Sequence, residues 1–201
     1  MFKPQGTPIS ADVYFNIYEG CNQGCDFCKF NETISIPTPN TLDASLYKDK
    51  TVLVSYSTEP LPFKDNSYTI NCIKQLHNNN AKIIFLSRRP TKTLEILNQF
   101  NAQDLIGVSI SETSNPNFND IFAIKKLAQK CNQKNLKMWI SLEPVCTKEF
   151  ADNIIHLFED QVEYIRVGKL DNAKDDIQEE WQDIREHIQS NHSQKNILLK
   201  Q

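Results

Sequence analysis

Apolar residues along this chain alternate between two patterns. Short, nearly continuous apolar runs rich in β-branched residues occur at ADVYFNIY (11–18), TVLVSYS (51–57), AKIIFLS (81–87), LIGVSIS (105–111), KMWISLE (137–143) and VEYIRVG (162–168). Runs of this kind suit strands buried on both faces, as in a parallel sheet covered by helices. Between them, apolar residues recur every three or four positions. Segment 66–79 sets Ile70, Ile73 and Leu76, with Cys72, at helical spacing. Segment 91–101 follows Pro90, with Thr91 or Thr93 as the expected cap. Segment 117–135 aligns Ile121, Ile124, Leu127, Ala128 and Cys131, and segment 147–161 aligns Phe150, Ile154, Leu157 and Phe158. Segment 173–192 aligns Ile177, Trp181, Ile184 and Ile188. NILLK (196–200) reads as a short strand or a docked end.

Strand and helix thus alternate about six times, which predicts right-handed crossovers and a parallel sheet. A complete eight-fold barrel takes about 250 residues, and the chain has 201. The expected fold is therefore α/β: a partial (β/α)6 barrel of the TIM type, a single domain over 1–201 with its core from about 11 to 192. Segment 30–50, with Pro37 and Pro39, is the least regular and reads as a loop plus a short helix at 43–48. No linker or low-complexity tract divides the chain.

Composition narrows the function. Apolar residues make up 39%, enough for a core, and the net charge of −3 provides no general basic field for nucleic acid. The N-terminal residues lack a secretion-signal pattern and no apolar run reaches membrane-spanning length, so a cytoplasmic, non-membrane protein is expected. In a reducing compartment the six cysteines are not expected to form disulfides. Metal binding, catalysis or packing remain. With five glycines and no Walker-type or dinucleotide motif, a Gly-rich phosphate loop is not expected.

The strongest chemical signal is GCNQGCDFC, directly after the first strand. Its Cys21, Cys25 and Cys28 are spaced CxxxCxxC on one loop, and three thiolates so placed can converge on one metal centre. Thiolates suit iron–sulfur clusters or zinc. Structural zinc wants four protein ligands, and no second pair or nearby histidine follows, since His77 falls in a helix. Three ligands on a four-iron cluster leave one iron open to a small molecule.

This motif resembles that of the radical S-adenosylmethionine superfamily, CxxxCxФC with an aromatic residue before the last cysteine, here Phe27. The six-unit partial barrel matches as well. The resemblance implies a 4Fe–4S cluster on Cys21, Cys25 and Cys28 whose open iron binds the amino and carboxylate groups of S-adenosylmethionine. Phe27 then packs near the adenine. The cluster breaks the sulfonium bond by donating an electron, and the 5′-deoxyadenosyl radical abstracts a hydrogen from a substrate. It also implies an external electron donor, such as a flavodoxin or ferredoxin.

In parallel α/β folds ligands bind at the C-terminal strand ends. Strand two is followed by Ser57-Thr58-Glu59-Pro60. The family often has GGEP there, lining the methionine amino group; this chain keeps Glu59-Pro60 and replaces both glycines. Strand three ends at Arg88-Arg89, which suit an anion or a solvated loop. Strand four ends with Ser109, Ser111 and Glu112; family residues at this point touch the cofactor ribose or carboxylate. Glu143, at the end of strand five, either points into the mouth or caps the next helix. Arg166 and Lys169 end strand six and favour the cofactor carboxylate or an anionic substrate. Cys72 and Cys131 lie on apolar helix faces and read as core. Trp139 reads as core or barrel wall and Trp181 as core or helix surface.

Candidate catalytic residues beyond the cluster are Cys146, a hydrogen donor or else a packed helix-start cysteine, and Tyr56, a radical carrier or else a structural strand residue. The strings STEPLP, SLEPV and RVGKL give a weaker resemblance to the spore photoproduct lyase-like and phage-type branch, but the lyase-type cysteine at the end of strand two is replaced by Ser55-Tyr56-Ser57-Thr58. The substrate is then a nucleotide, nucleic acid or other anionic molecule, and a small chain leaves the mouth open to something large or to a partner chain. An activase of a glycyl radical enzyme and a non-catalytic iron–sulfur electron carrier are the alternatives.

Overall fold

Each apolar run builds a strand, and the strands lie side by side in the order in which the chain makes them. The computed structural model describes residues 11–25, 36–55, 57–112, 118–169, 175–192 and 196–200. Its elements are strands β1 (Val13–Phe15), β2 (Tyr18–Glu19), β3 (Thr38–Pro39) and β4 (Thr51–Val54), helix α1 (Ser67–Asn78), β5 (Lys82–Ser87), α2 (Pro90–Glu95), β6 (Leu105–Ile110), α3 (Phe118–Gln133), β7 (Lys137–Leu142), α4 (Lys148–Phe158), β8 (Tyr164–Val167), α5 (Asp175–Asn191) and β9 (Ile197–Leu199). Short 3₁₀ turns occupy Ala44–Tyr47, within the helix expected at 43–48, and Leu97–Gln99. One sheet runs β1-β4-β5-β6-β7-β8-β9, and every neighbouring pair in it is parallel.

Sequential order with right-handed crossovers places every helix on the same face of the sheet. Side chains confirm the two-sided use of each strand. Val52, Val54, Ile83, Phe85, Ile106, Val108, Met138, Ile140, Ile165 and Val167 belong to the large core shared with Ile73, Leu76, Leu127, Ile154, Phe158 and Trp181 of the helices. The alternate residues form a second cluster: Leu53, Ile84, Leu105, Trp139 and Tyr164, with Ala11. A sheet face filled by its own side chains is the inside of a barrel wall, so the molecule is the expected partial barrel. Trp139 lies flat on this inner wall, its ring 5.7 Å from that of Tyr164. Gly107 gives it room, because a Cβ there would lie 2.3 Å from the indole nitrogen.

Several boundaries differ from the sequence expectation. The first run splits: only Val13–Phe15 joins the main sheet, and Tyr18–Glu19 pairs antiparallel with Thr38–Pro39. The second strand ends at Val54 because Ser55 turns to φ 60°, a left-handed conformation. The expected threonine cap of α2 is replaced by Arg89, with Pro90 at the first turn where its missing N–H costs nothing. The Thr93 hydroxyl instead donates to the Arg89 carbonyl (3.0 Å). NILLK becomes a seventh parallel strand beside β8. Among the described residues no helix is long and apolar enough to cross a membrane.

Candidate active site at the strand ends

The inner face changes character along the strands. Its lower part is the apolar plug of Trp139, Tyr164, Leu53, Ile84 and Leu105. Toward the C-terminal ends, strand alternation brings up Ser55, Arg88, Ser109, Ser111, Ser141, Glu143 and Arg166. Ser109, Ser141 and Arg166 lie in one register row across β6, β7 and β8. Arg88, Ser109 and Ser111 also line a cleft with Pro90, Asp120 and Ile124.

Cys21 and Cys25 sit half-buried on the loop that leaves β2. Gly20 (φ 80°) and Gly24 (φ 62°) take backbone conformations that side-chain-bearing residues avoid, and so allow the tight path between them. Phe27, Cys28 and Tyr56 lie outside the described residues. The two arginines after β5 both reach the cysteine loop. Arg88 Nη1 donates to Cys25 Sγ (2.9 Å). Arg89 Nε donates to Gln23 Oε1 (3.2 Å), and its Nη1 donates to the Pro62 carbonyl (3.2 Å). A guanidinium beside a thiol favours the thiolate. Cys72 and Cys131 contrast with this: burial pushes their thiols up to about 11 and about 12, leaving neutral core residues.

Glu59 is buried and holds the loop together from within. Its carboxylate accepts from the Leu61 amide (3.0 Å), the Ser87 hydroxyl (2.7 Å) and the Arg88 amide (2.9 Å). Burial raises its pKa, opposed by these hydrogen bonds and the charge of Arg89. It thereby holds the backbone that carries Arg88. Ser57 is positioned by Asn16, whose Nδ2 donates to Ser57 Oγ (2.7 Å) and whose Oδ1 accepts from the Ser57 amide (3.3 Å). Thr58 and Ser55 each keep a buried hydroxyl with no partner among the described residues.

Glu143 points inward and does not cap α4. It pairs with Arg166 (3.0 Å) and with Lys200 (2.5 Å). Gly168 makes space for it, since a Cβ there would approach Glu143 Cδ to 3.0 Å. Arg166 Nε is a buried donor with no partner among the described residues. The α4 start is held instead by Glu112, which accepts from the Cys146 amide (2.6 Å), the Thr147 amide (2.9 Å) and the Thr147 hydroxyl (2.6 Å). Cys146 is exposed on this rim, not packed. Lys169 is half-buried after β8.

Sequence reasoning missed Asn16, Ser55, Ser141 and Lys200. Strand alternation alone could have found Ser141, which shares a face with Ser109. Lys200 needed the knowledge that residues 197–199 pair with β8.

No protein-family profile matches the chain, and no curated protein sequence matches it. Solved structures do resemble it. Streptococcus suis SuiB bound to S-adenosylmethionine superimposes with a TM-score of 0.62 at 13% identity, over 93% of this chain and 49% of that one. SuiB alone and SuiB bound to its precursor peptide SuiA each superimpose with a TM-score of 0.61 at 14% identity. This chain therefore spans about half the length of SuiB, and what the likeness shows is a shared fold.

Proposed function

We propose that the chain is a radical S-adenosylmethionine enzyme, holding a 4Fe–4S cluster on Cys21, Cys25 and Cys28 at the open end of the partial barrel. The observation that carries the reading is the position of the cysteine loop: it lies over the strand C-termini, with a guanidinium on Cys25 and a polar inner face beneath it. The donor set fits the group. Cys21 and Cys25 are half-buried and Cys25 has a guanidinium beside it, which suits thiolate ligation, and three thiolates leave one iron for an outside ligand. A fold neighbour that binds S-adenosylmethionine adds support.

When bound, the cluster supplies one electron to S-adenosylmethionine, whose sulfonium–C5′ bond breaks to give methionine and a 5′-deoxyadenosyl radical. The chain's own residues prepare the site for this. Glu59 and Asn16 fix the loop after β4, so the Ser57 and Thr58 backbone can meet the methionine end of the cofactor. Ser109 and Ser111 line the cleft beside Arg88, on the side assigned to the cofactor ribose or carboxylate. Arg166 and Lys200 meet at Glu143 in the mouth, and cations so placed suit a carboxylate or phosphate. Phe27 takes the adenine side, and Cys146 and Tyr56 remain candidate hydrogen or radical relays. The electron comes from a flavodoxin- or ferredoxin-type donor. Substrate classes are a nucleotide, a nucleic acid or another anionic molecule, and the peptide-bound SuiB adds a polypeptide.

Anaerobic reconstitution with iron and sulfide tests the ligand set. Close to four irons per chain are expected. Replacing Cys21, Cys25 or Cys28 with Ala should abolish or destabilise the iron–sulfur absorbance, while Cys131→Ala should leave it. A fully stable cluster in Cys25→Ala would refute the assignment.

A further inference from the structure

Three of the chain's four histidines gather in one place, far from the cysteine loop. His156 and Glu159 lie one turn apart at the C-terminal end of α4, and His192 follows the last residue of α5. The α4 helix starts at the mouth, on Glu112, and runs away from it. Its 11 residues span about 16 Å at 1.5 Å per residue, so its far end is at the opposite pole of the barrel.

The arrangement there is that of a metal site. One ligand atom each from His156, Glu159 and His192 lie within 4.8 Å of one another. Glu159 Oε1 is 3.7 Å from His156 Nδ1, and Glu159 Oε2 is 3.8 Å from His192 Nδ1. Nitrogen and oxygen ligands sit about 2.0–2.2 Å from a zinc-type ion, so two of them on a tetrahedral centre lie about 3.4 Å apart. The two Glu159 contacts lie a few tenths of an ångström outside that spacing, and the set as a whole, within 4.8 Å, has to draw in further around an ion. His156 can supply the movement on its own side of the set, because its side chain is 68% exposed.

A second feature points the same way. The His192 side chain is 3% exposed, and its other nitrogen, Nε2, lies 3.0 Å from Asp152 Oδ1. Metal-bound histidines almost always give their second N–H to a carboxylate in this manner, which fixes the ring and turns the bare nitrogen toward the ion. Asp152 is held in turn by His187 Nε2 on its other oxygen (2.8 Å).

We propose that His156, Glu159 and His192 bind a divalent transition-metal ion of the zinc class, with Asp152 orienting His192, and that the ion fastens the end of α4 to the end of α5. Two imidazoles and one carboxylate suit zinc, cobalt or nickel over calcium or magnesium, and leave one position for water. The site also anchors the chain just before it returns as β9, the strand next to Lys200. The same five side chains without an ion make a network of histidine–carboxylate pairs, and the test separates these two readings.

The probes are Zn2+ and Co2+, added to the chelator-stripped 201-residue chain in which Cys21, Cys25 and Cys28 are all replaced by Ser. That background removes the thiolates of the cysteine loop, so the outcome is independent of the cluster assignment, and Cys146→Ser is added so that no exposed thiol among the described residues competes for the ion. One equivalent of Zn2+ should bind by calorimetry and raise Tm, and Co2+ should show visible bands of low-symmetry coordination. His156→Ala should weaken binding at least about ten-fold and abolish the Tm gain, while its metal-free Tm stays at the parent value, because the ring is exposed. Asp152→Asn should weaken binding by about 10–100-fold. Undiminished binding in His156→Ala overturns the proposal. So does a parent that shows neither heat nor a Tm shift at about a hundred-fold excess of Zn2+, which leaves the ion-pair network alone.

Discussion

Arg88 lies on the inner wall at the end of β5, and its guanidinium meets Cys25 Sγ. Positive charge and N–H donation to a ligand sulfur stabilise the reduced, more negative cluster and raise its potential. Arg88→Gln should therefore make the midpoint potential of the reconstituted cluster more negative by tens of millivolts, read by redox titration with spectroscopic detection. An unchanged potential would mean that the guanidinium is only a spacer. The cysteine spacing was readable from the sequence, because three thiols in nine residues have few other uses. The role of Arg88 was not. An arginine after a strand is equally an anion site or a solvated side chain, and only the return of the Gln23–Cys25 loop over β5 decides between them. Glu59 shows the same limit. Its place after strand two marked it for the site, and only the structure shows its buried carboxylate taking three donors, one of them the Arg88 amide.

The elements were legible where burial is two-sided. β5, β6, β7 and β8 fall within apolar runs because helices cover one face and Trp139, Tyr164 and their neighbours fill the other. Their helices followed from apolar spacing for the same reason. Ends of elements were harder, since they are set by single backbone events: Ser55 at φ 60° closes β4 early, and Pro90 starts α2. The inner wall depends on Gly107. A methyl group there would lie 2.3 Å from Trp139 Nε1 and 2.7 Å from the Phe85 carbonyl, and the backbone atom cannot move aside cheaply. Gly107→Ala should cost about 1–3 kcal/mol, the usual penalty of overpacking, measured by urea unfolding, with a shift in tryptophan fluorescence. Stability equal to the parent would show that Trp139 is not wedged against β6.

At the scale of the molecule, an open parallel sheet in sequential order leaves a mouth bounded by loops after each strand, with the cysteine loop on one side and the Glu143–Arg166–Lys200 group on the other. The order of strands was legible from the repeat. The last of them was not, because three residues of β9 carry too little pattern to separate a strand from a docked end, and with it went Lys200. The chain spans about half of SuiB. The central claim is cofactor cleavage, and one measurement addresses it: 5′-deoxyadenosine formed when the anaerobic, reconstituted protein is given S-adenosylmethionine and dithionite. The parent should form it and Cys25→Ala should form none. An intact cluster in the parent that yields no 5′-deoxyadenosine would contradict it and leave an electron carrier.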